Sequence, residues 1–549
     1  MPNEKRVFGV FKNEKNLNAA LAPMLKAREE VYSDYSSKEG SELLKLYKKN
    51  SGQTQFIWDG KPIKTETQKL HSMRSVLLQN RFPDEQKTLY AISRIKPAQF
   101  KFDPGIYQYG GIYFYSCGAF IKLCSVVGLC ELKSDTGFYM KDPRQTALLY
   151  AAGKFAGAFA AALFCVILLK LGTEFFSFRA GLFSAFFAAS LPSLAFESHS
   201  LKPYSFFLPF WAACLYFALK AFKEREKFAF FYFLSGLFSG LCGGAMLLGS
   251  FCSFSFLAAY FFYARENSFS LKLFFLAPLG FLLGFFAGNP YYLLSFKAAL
   301  AELAYVKGMH SFHFSLSNML HFSFLELPKI ASWPVLALAF FSVYFAFKQI
   351  NKFLAIVFAP FAVYFVYTSN AHWDFPHYSM PLLPALLISS GFAVEKLSSY
   401  FPKTSAFFIF CILFNAGNLL HDKKIFLENE ENLNEAGLWI SENIPAGSKI
   451  SFDSYPYFGF KSYPPFPVAD YKIVKEKEGD YYILNEIDKV YHSMNISYGD
   501  SAAKTIGSSK EYVLLKEFSR KKTFLDKIYP NHRYSLFEQR IAIYKKVRA

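Results

Sequence analysis

The chain has 549 residues, of which 53 % are hydrophobic and only 19 % are charged, whereas soluble domains carry roughly 25 % charged residues. Its net charge of +18 is not gathered into a basic module with interleaved aromatic residues, so the sequence disfavours a nucleic-acid-binding function. The deficit of charged residues instead predicts a membrane protein.

Apolar windows of the length that crosses ~30 Å of hydrocarbon recur along the chain. They lie at residues 147–169, 180–196, 204–222, 228–246, 247–263, 271–289, 328–347, 353–369, 379–395 and 405–421. Since lipid does not tolerate unpaired backbone polar groups, we expect a polytopic α-helical protein with about ten spans. A further apolar stretch at 105–130 is ambiguous, and we interpret it as a helix on the membrane surface.

Lysine and arginine are distributed unevenly among the connections between these windows. Twelve of them lie in five connections, at 170–179, 220–227, 264–272, 348–352 and 396–404. Three lie in the alternate connections, at 197–203, 290–327 and 370–378. By the positive-inside rule the first set is cytoplasmic and the second set faces outward.

The chain divides by composition into three regions. They are a polar extension at 1–80, a membrane domain at 81–421 and a soluble, outward-facing domain at 422–549. Strand-like runs such as "SKISF", "DYYILN" and "EYVLL" and a helix-like piece near 432–443 predict an α/β fold for the last region. The eight cysteines lie in or beside apolar segments without a CxxC pair, which is typical of core residues.

Four polar clusters fall in stretches that we expect to face outward, where ionisable groups are costly unless they are wet, paired or functional. They are Asp84 and Glu85 in "NRFPDEQKTLY" with Asp103, Tyr107 and Tyr109; Glu197, His199 and Lys202; Tyr292 in "GNPYY" with His310, His313 and His321; and His372, Asp374, His377 and Tyr378.

Each cluster also has a purely structural interpretation. Proline followed by two carboxylates, as at Asp84 and Glu85, is a common helix start. Lys202 could extend its ammonium group into the lipid headgroups. His310 and His313 have the spacing of a metal-ligand pair, but no acidic third ligand accompanies them, which favours a solvated pair.

A series of short motifs nevertheless follows one order along residues 80–455. The motifs are "PDE" at 83–85, "YG" at 109–110, "TALLYAAGK" at 146–154, "HSLKPY" at 199–204, "NPYY" at 289–292, "PHYSMPLLP" at 376–384 and "WISENIPAGSKI" at 439–450. In order and placement they resemble the GT-C glycosyltransferases that use polyprenyl-phosphate sugars, a family that includes protein O-mannosyltransferases and the aminoarabinose transferases of lipid A.

The resemblance implies a glycosyltransferase that moves a sugar from a polyprenyl-phosphate carrier to a hydroxyl of a protein or glycolipid, with inversion. It also implies an integral protein of a bacterial inner membrane whose active face is periplasmic. Asp84 would be the general base, and Glu85 would support it. Relatives differ in their use of a divalent metal. The oxygen atoms of Asp84, Glu85 and Asp103 would suit such an ion, but we assign no metal ligand and no other cofactor.

The remaining candidate residues have two expected roles. The leaving lipid phosphate needs positive charge and strong donors, for which the candidates are Lys202, His199, His377 and Tyr378. The sugar or the acceptor needs hydrogen bonds and aromatic surfaces, for which the candidates are Asp103, Tyr109, Tyr292 and Asp374.

Three departures from the family pattern leave alternatives open. Tyr204 stands where the family has an acidic residue, His377 replaces an arginine, and no spanning window precedes the acidic pair. A non-catalytic scaffold of the same family is therefore one alternative. A transporter or lipid flippase is the other, although the sequence shows no internal repeat and its charges cluster at one rim.

Overall fold

The computed structural model describes residues 4–35, 52–78, 83–308, 312–349, 352–371, 376–400, 405–452, 463–474, 478–485, 511–529 and 540–547. The chain divides into two compact units. Unit 1 comprises Met1–Gln86, Cys124–Ala151 and His421–Ala549, and unit 2 comprises Lys87–Leu123 and Ala152–Leu420.

Helices dominate the described residues. They are α1 Glu4–Phe11, α2 Glu14–Tyr35, α3 Thr67–Leu78, α4 Pro83–Arg94, α5 Gly111–Val126, α6 Thr136–Lys141, α7 Pro143–Phe175, α8 Phe178–Ser190, α9 Pro192–Ser198, α10 Leu208–Lys223, α11 Phe228–Ala245, α12 Ser253–Asn267, α13 Leu271–Gly288, α14 Tyr291–Leu294, α15 Phe296–Gly308, α16 Leu316–His321, α17 Leu327–Ala331, α18 Trp333–Gln349, α19 Lys352–Asn370, α20 Leu383–Tyr400, α21 Ser405–Asn443 and α22 Leu525–Ile528.

Six helices in the described part of the chain are long and apolar enough to cross a membrane. Two bent helix pairs, α8 with α9 and α16–α17 with α18, raise that number to eight if each pair is one span. Two more predicted windows coincide with α10 and with the first half of α21. The prediction of a polytopic helical membrane protein is therefore confirmed, and every predicted window falls on a helix.

The first bent pair turns by 62° at a break where Pro192 begins the second helix. Leu191 has extended backbone there, as expected for a residue that precedes proline. The second pair turns by 115°, and Ser332 at its break has a positive φ of 64°. Both breaks interrupt apolar segments, and the helix after the first break ends within the connection predicted at 197–203.

Helices α11 and α13 pack with their backbones in contact because glycine recurs at every fourth residue in both. Gly236, Gly240 and Gly244 lie on α11, and Gly280, Gly284 and Gly288 lie on α13. A Cβ atom added at Gly240 would lie 2.0 Å from the carbonyl oxygen of Phe281. Since lipid gives apolar helices no hydrophobic reason to associate, such close van der Waals packing holds them together.

Unit 1 contains a five-stranded mixed sheet with strand order β4-β3-β5-β7-β6. Its strands are β3 Lys449–Phe452, β4 Lys472–Val474, β5 Tyr481–Asn485, β6 Tyr512–Phe518 and β7 Ile541–Lys546. Strand β3 is parallel to its neighbours β4 and β5, whereas β7 is antiparallel to β5 and β6. The three strands predicted from sequence are present, and the second half of α21 is the predicted helix.

The N-terminal residues share one hydrophobic core with this sheet. They form α1, α2, α3 and a hairpin of β1 Gln53–Trp58 and β2 Lys61–Glu66. Phe11, Met24 and Trp58 are buried in the same cluster as Ile440 and Ile483. The N-terminal residues and the C-terminal domain are therefore one folding unit and must lie on the same side of the membrane.

Polar contacts reinforce that core at the tip of the hairpin. Lys12 Nζ lies 2.7 Å from a carboxylate oxygen of Asp59 and 2.7 Å from one of Asp470. Trp58 Nε1 donates to the other oxygen of Asp470 at 2.7 Å. Nearby, Lys69 Nζ donates to the carbonyl of Tyr471 at 2.8 Å. The contacts with Asp470 and Tyr471 join residues more than 400 positions apart along the chain. The contact between Lys12 and Asp59 orders the hairpin turn beside them.

We expect Gly240→Ala to destabilise the membrane domain by about 1–3 kcal/mol, because its Cβ would meet backbone atoms that cannot rotate away. The thermal unfolding temperature of the purified protein in detergent measures this effect. Gly118→Ala is the matched control, since its nearest neighbour is a side-chain methyl of Ile92 at 3.4 Å. Equal unfolding temperatures for the two variants would contradict the packing described here.

Lys69 should make the stability of unit 1 depend on pH. Burial lowers the pKa of its ammonium group from 10.5 to about 8, although Glu66 and Asp470 oppose the shift. Between these two values the unfolded chain binds the Lys69 proton more tightly, so raising the pH favours the folded state. The unfolding temperature of the wild type minus that of Lys69→Met should therefore rise from pH 8 to pH 10 and stay flat below pH 7.

Lys64→Met is the control for this measurement because Lys64 is an exposed lysine on β2. Its difference from the wild type should change little with pH. A Lys69→Met profile that follows the Lys64→Met profile would show that Lys69 does not carry the effect.

Candidate functional site

The acidic pair begins helix α4. Asp84 and Glu85 both lie in the first turn, directly after Pro83, so the predicted helix start is confirmed. Asp84 is half-buried, whereas Glu85 has no exposed surface. One turn further, Thr88 Oγ1 donates to the carbonyl of Leu201 at 3.1 Å, and both atoms are buried. This hydrogen bond joins the helix of the acidic pair to the loop that carries Lys202.

That loop, residues 199–207, follows the short helix α9. Lys202 is 8 % exposed and Glu197 is 2 % exposed, so two ionisable side chains are buried close together along the chain. Ser200 donates to a carboxylate oxygen of Glu197 at 3.2 Å, and Ser205 donates to its carbonyl at 3.3 Å. A buried carboxylate with such donors orders the loop around it.

His199 is exposed at the start of the same loop. Its Nδ1 lies 2.6 Å from the carbonyl oxygen of Ala195. Since a carbonyl only accepts hydrogen bonds, Nδ1 must carry the proton. The other ring nitrogen, Nε2, is the one available to a ligand.

The two site positions at which the chain departs from the family pattern contact each other. The rings of Tyr204 and His377 have centroids 4.1 Å apart, and Tyr378 meets them at 5.7 and 4.5 Å. Tyr204 is buried, while His377 and Tyr378 are half-buried. The three rings form an aromatic group, in which Tyr204 and His377 pack against each other.

Residues 103–111, which we call the tyrosine segment, connect α4 to α5 and are fixed by two carboxylates. Asp103 accepts hydrogen bonds from the backbone of Gly105 at 2.8 Å and from the hydroxyls of Tyr107 and Ser295 at 3.1 and 3.0 Å. Glu302 on α15 accepts from the backbone N–H groups of Tyr107 and Gln108 at 2.8 and 3.1 Å. Burial raises the pKa of the Glu302 carboxyl, although these two donors oppose the shift.

The C-terminal ends of α11 and α13 hold the other side of the tyrosine segment. Gly110 donates its N–H to the carbonyl of Ala245 at 3.0 Å, and Gly111 donates to the side chain of Asn289 at 3.3 Å. The hydroxyl of Tyr292 donates to the carbonyl of Tyr107 at 2.5 Å. A Cβ atom at Gly110 would lie only 1.5 Å from the carbonyl oxygen of Gly244, so only glycine fits there.

The structure brings many of the predicted residues of unit 2 into two groups. The tyrosine segment contains Asp103 and Tyr109 and binds Tyr292, while the aromatic group contains His377 and Tyr378. Asp374 and its neighbour His372 lie outside the described residues, as does His310. Within the described ranges, no group of three or more His, Cys, Asp or Glu side chains could hold a metal ion.

Sequence reasoning missed Glu302 and the glycines of α11 and α13, and it gave Asn289 only as part of the "NPYY" motif. The glycine spacing was visible in the sequence as two GxxxGxxxG patterns. Glu302 gave no such signal, because it is a single carboxylate in a helix between Ala301 and Leu303. Its role depends on a contact with residues almost 200 positions earlier.

We expect Glu302→Ala to loosen the tyrosine segment, because two partly buried N–H groups would lose a carboxylate acceptor, and a hydrogen bond to a charged group contributes about 1.5–3 kcal/mol when buried and less when partly exposed. Amide hydrogen exchange of residues 105–111 measures the change, and Glu302→Gln should recover part of the protection through its amide oxygen. Lys297→Ala, an exposed position on the same helix, is the control. Unchanged exchange in Glu302→Ala would contradict this assignment.

No protein-family model matches the chain, and no curated protein sequence matches it. Among solved structures, ArnT from Cupriavidus metallidurans in the apo state is 13 % identical, with a TM-score of 0.44 over 86 % of this chain and 95 % of that one. ArnT bound to undecaprenyl phosphate has a TM-score of 0.42 at 12 % identity, over 85 % of this chain and 95 % of that one. An oligosaccharyltransferase from Archaeoglobus fulgidus has a TM-score of 0.39 at 13 % identity, over 77 % of this chain and 68 % of that one.

Proposed function

We propose that the protein is a membrane glycosyltransferase that moves a sugar from a polyprenyl-phosphate carrier to a hydroxyl group of a protein or glycolipid. The observation that carries the proposal is the buried hydrogen bond from Thr88 to Leu201. It joins the helix that begins with Asp84 and Glu85 to the loop that carries Lys202. The acidic "PDE" motif and the basic "HSLKPY" motif therefore lie on elements that are hydrogen-bonded to each other.

The chemistry requires a base and a site for the leaving group. As the acceptor oxygen attacks the anomeric carbon, its proton passes to the Asp84 carboxylate. The new bond forms between the acceptor oxygen and the anomeric carbon while the bond from that carbon to the phosphate oxygen breaks. One displacement of this kind inverts the configuration. Glu85 is fully buried, so we assign it the support of Asp84 and not contact with the acceptor.

The departing polyprenyl phosphate carries the developing negative charge. Lys202 is the principal cation for it, with Nε2 of His199 and the ring of His377 as further donors. Because Lys202 is buried, its attraction to a phosphate would be less screened than on an exposed surface. Tyr378, a half-buried residue, is the remaining donor that we assign to the lipid phosphate.

We assign the sugar or acceptor side to the tyrosine segment. Tyr109 and Asp374 keep the roles that the sequence gave them. The oxygens of Asp103 and the hydroxyl of Tyr292 are already engaged in hydrogen bonds to the segment, so in our proposal these two residues position Tyr109 instead of touching the sugar.

Orientation follows from the charge of the connections. The loop of Lys202, the tyrosine segment and unit 1 would all lie on the periplasmic side of a bacterial inner membrane, away from the lysine-rich connections. This is the side on which lipid-linked sugars, and not nucleotide sugars, would serve as donors.

To test the proposal, the purified protein is incubated with a panel of polyprenyl-phosphate sugars and no acceptor. The polyprenyl phosphate released by slow hydrolysis is then measured. Asp84→Asn should reduce release by about 10²–10⁴-fold, the usual contribution of a general base, while donor binding persists. Asp142→Asn is the matched control, because Asp142 also lies beside a proline at a helix start.

A second outcome is that the wild type and Asp84→Asn both bind the donor but release no polyprenyl phosphate. If Asp84→Asn then transfers the sugar to added acceptors as well as the wild type does, Asp84 has no part in catalysis. Absence of both binding and release across the panel would favour the scaffold or the transporter.

A further inference from the structure

The C-terminal domain presents a compact surface of exposed apolar and basic side chains at residues 520–529, which we call the anchor loop. Phe524 is 72 % exposed, and Leu525 and Ile528 are 42 % and 38 % exposed. Lys521, Lys522 and Lys527 are exposed around them. An exposed phenylalanine with two aliphatic neighbours is unusual on a water-facing surface, and it needs an explanation in a well-formed loop.

Asp526 gives the anchor loop a fixed shape. Its carboxylate accepts hydrogen bonds from both terminal nitrogens of Arg520, at 2.5 and 3.1 Å, and from the hydroxyl of Thr523 at 3.0 Å. The backbone N–H of Thr523 donates to the same carboxylate. These donors, led by Arg520, lower the pKa of Asp526. The apolar side chains are therefore held outward by a bonded framework.

The same carboxylate ties the anchor loop to α21 at a defined level. His421 Nε2 lies 3.1 Å from Oδ1 of Asp526, and the His421 side chain is 4 % exposed. His421 directly follows the apolar residues 405–420 that form the first half of this helix. Because an apolar helical segment ends where the hydrocarbon meets the headgroups, we expect a loop bonded to His421 to lie near the membrane surface.

Composition and position together identify one partner. A surface with phenylalanine, leucine and isoleucine between lysines is suited to the boundary between headgroups and acyl chains, where aromatic and aliphatic groups enter and cations meet phosphates. We propose that the anchor loop inserts Phe524, Leu525 and Ile528 into the adjacent leaflet, with Lys521, Lys522 and Lys527 bound to the phosphates of anionic lipids.

Depth-dependent quenching tests this proposal on the full-length protein in nanodiscs. A bimane label on Phe524→Cys should be quenched by a lipid that carries a nitroxide near its headgroup. Leu438→Cys is the matched control, because Leu438 is 59 % exposed and also apolar. It lies further along the same helix α21, about 25 Å from His421 at 1.5 Å per residue. The label at 524 should be quenched at least threefold more strongly than the label at 438.

Wild-type protein treated with bimane gives the background from the native cysteines, which are buried or half-buried. Equal quenching at positions 524 and 438 would overturn the proposal and would leave a protein partner as the explanation for the exposed surface.

The role of the lysines is tested by lipid charge. Quenching at position 524 should be stronger in nanodiscs that contain phosphatidylglycerol than in phosphatidylcholine alone. Adding Lys521→Glu and Lys522→Glu should abolish that difference, whereas adding Lys516→Glu, an exposed lysine on β6, should leave it unchanged. A difference that survives the double substitution would show that these lysines do not bind the lipid phosphates.

Discussion

The backbone contact between α11 and α13 is the constraint on which the arrangement of the candidate site depends. Glycines at every fourth residue let the two helices approach until a single methyl group at Gly240 or Gly284 would meet a carbonyl oxygen about 2 Å away. Inside a lipid bilayer the hydrophobic effect does not drive the two helices together, because lipid tails are as apolar as leucine side chains. The two helices therefore meet in one register, and their C-terminal ends occupy fixed positions.

Those helix ends act as the support of the tyrosine segment. The carbonyl of Ala245 and the side chain of Asn289 bind the N–H groups of Gly110 and Gly111, and the residues that follow α13 supply Tyr292 and Glu302. A segment without regular secondary structure would otherwise leave several buried polar groups unpaired. These bonds fix the connection between α4 and α5, as the transferase that we propose would need in order to hold an acceptor in line with a leaving phosphate.

The sequence predicted the parts of this account that depend on local pattern. Ten apolar windows located the helices, the Pro-Asp-Glu run located the start of α4, and alternating runs located β3, β5 and β6. It did not predict that residues 4–35 and 52–78 share a core with the C-terminal sheet, because Trp58 and Asp470 meet only through the tertiary fold. It likewise could not show that the rings of Tyr204 and His377 contact each other. Their contact gives the two departures from the family pattern a common structural basis.

The most direct measurement is a cryo-electron-microscopy structure of the protein in nanodiscs with bound polyprenyl phosphate. Our account predicts density for the phosphate within hydrogen-bond distance of Lys202 Nζ, with the tyrosine segment in the conformation described above. A phosphate bound away from the loop at 199–207, or a lipid-free loop at saturating polyprenyl phosphate, would contradict the assignment of this loop as the donor site and with it the proposed transferase.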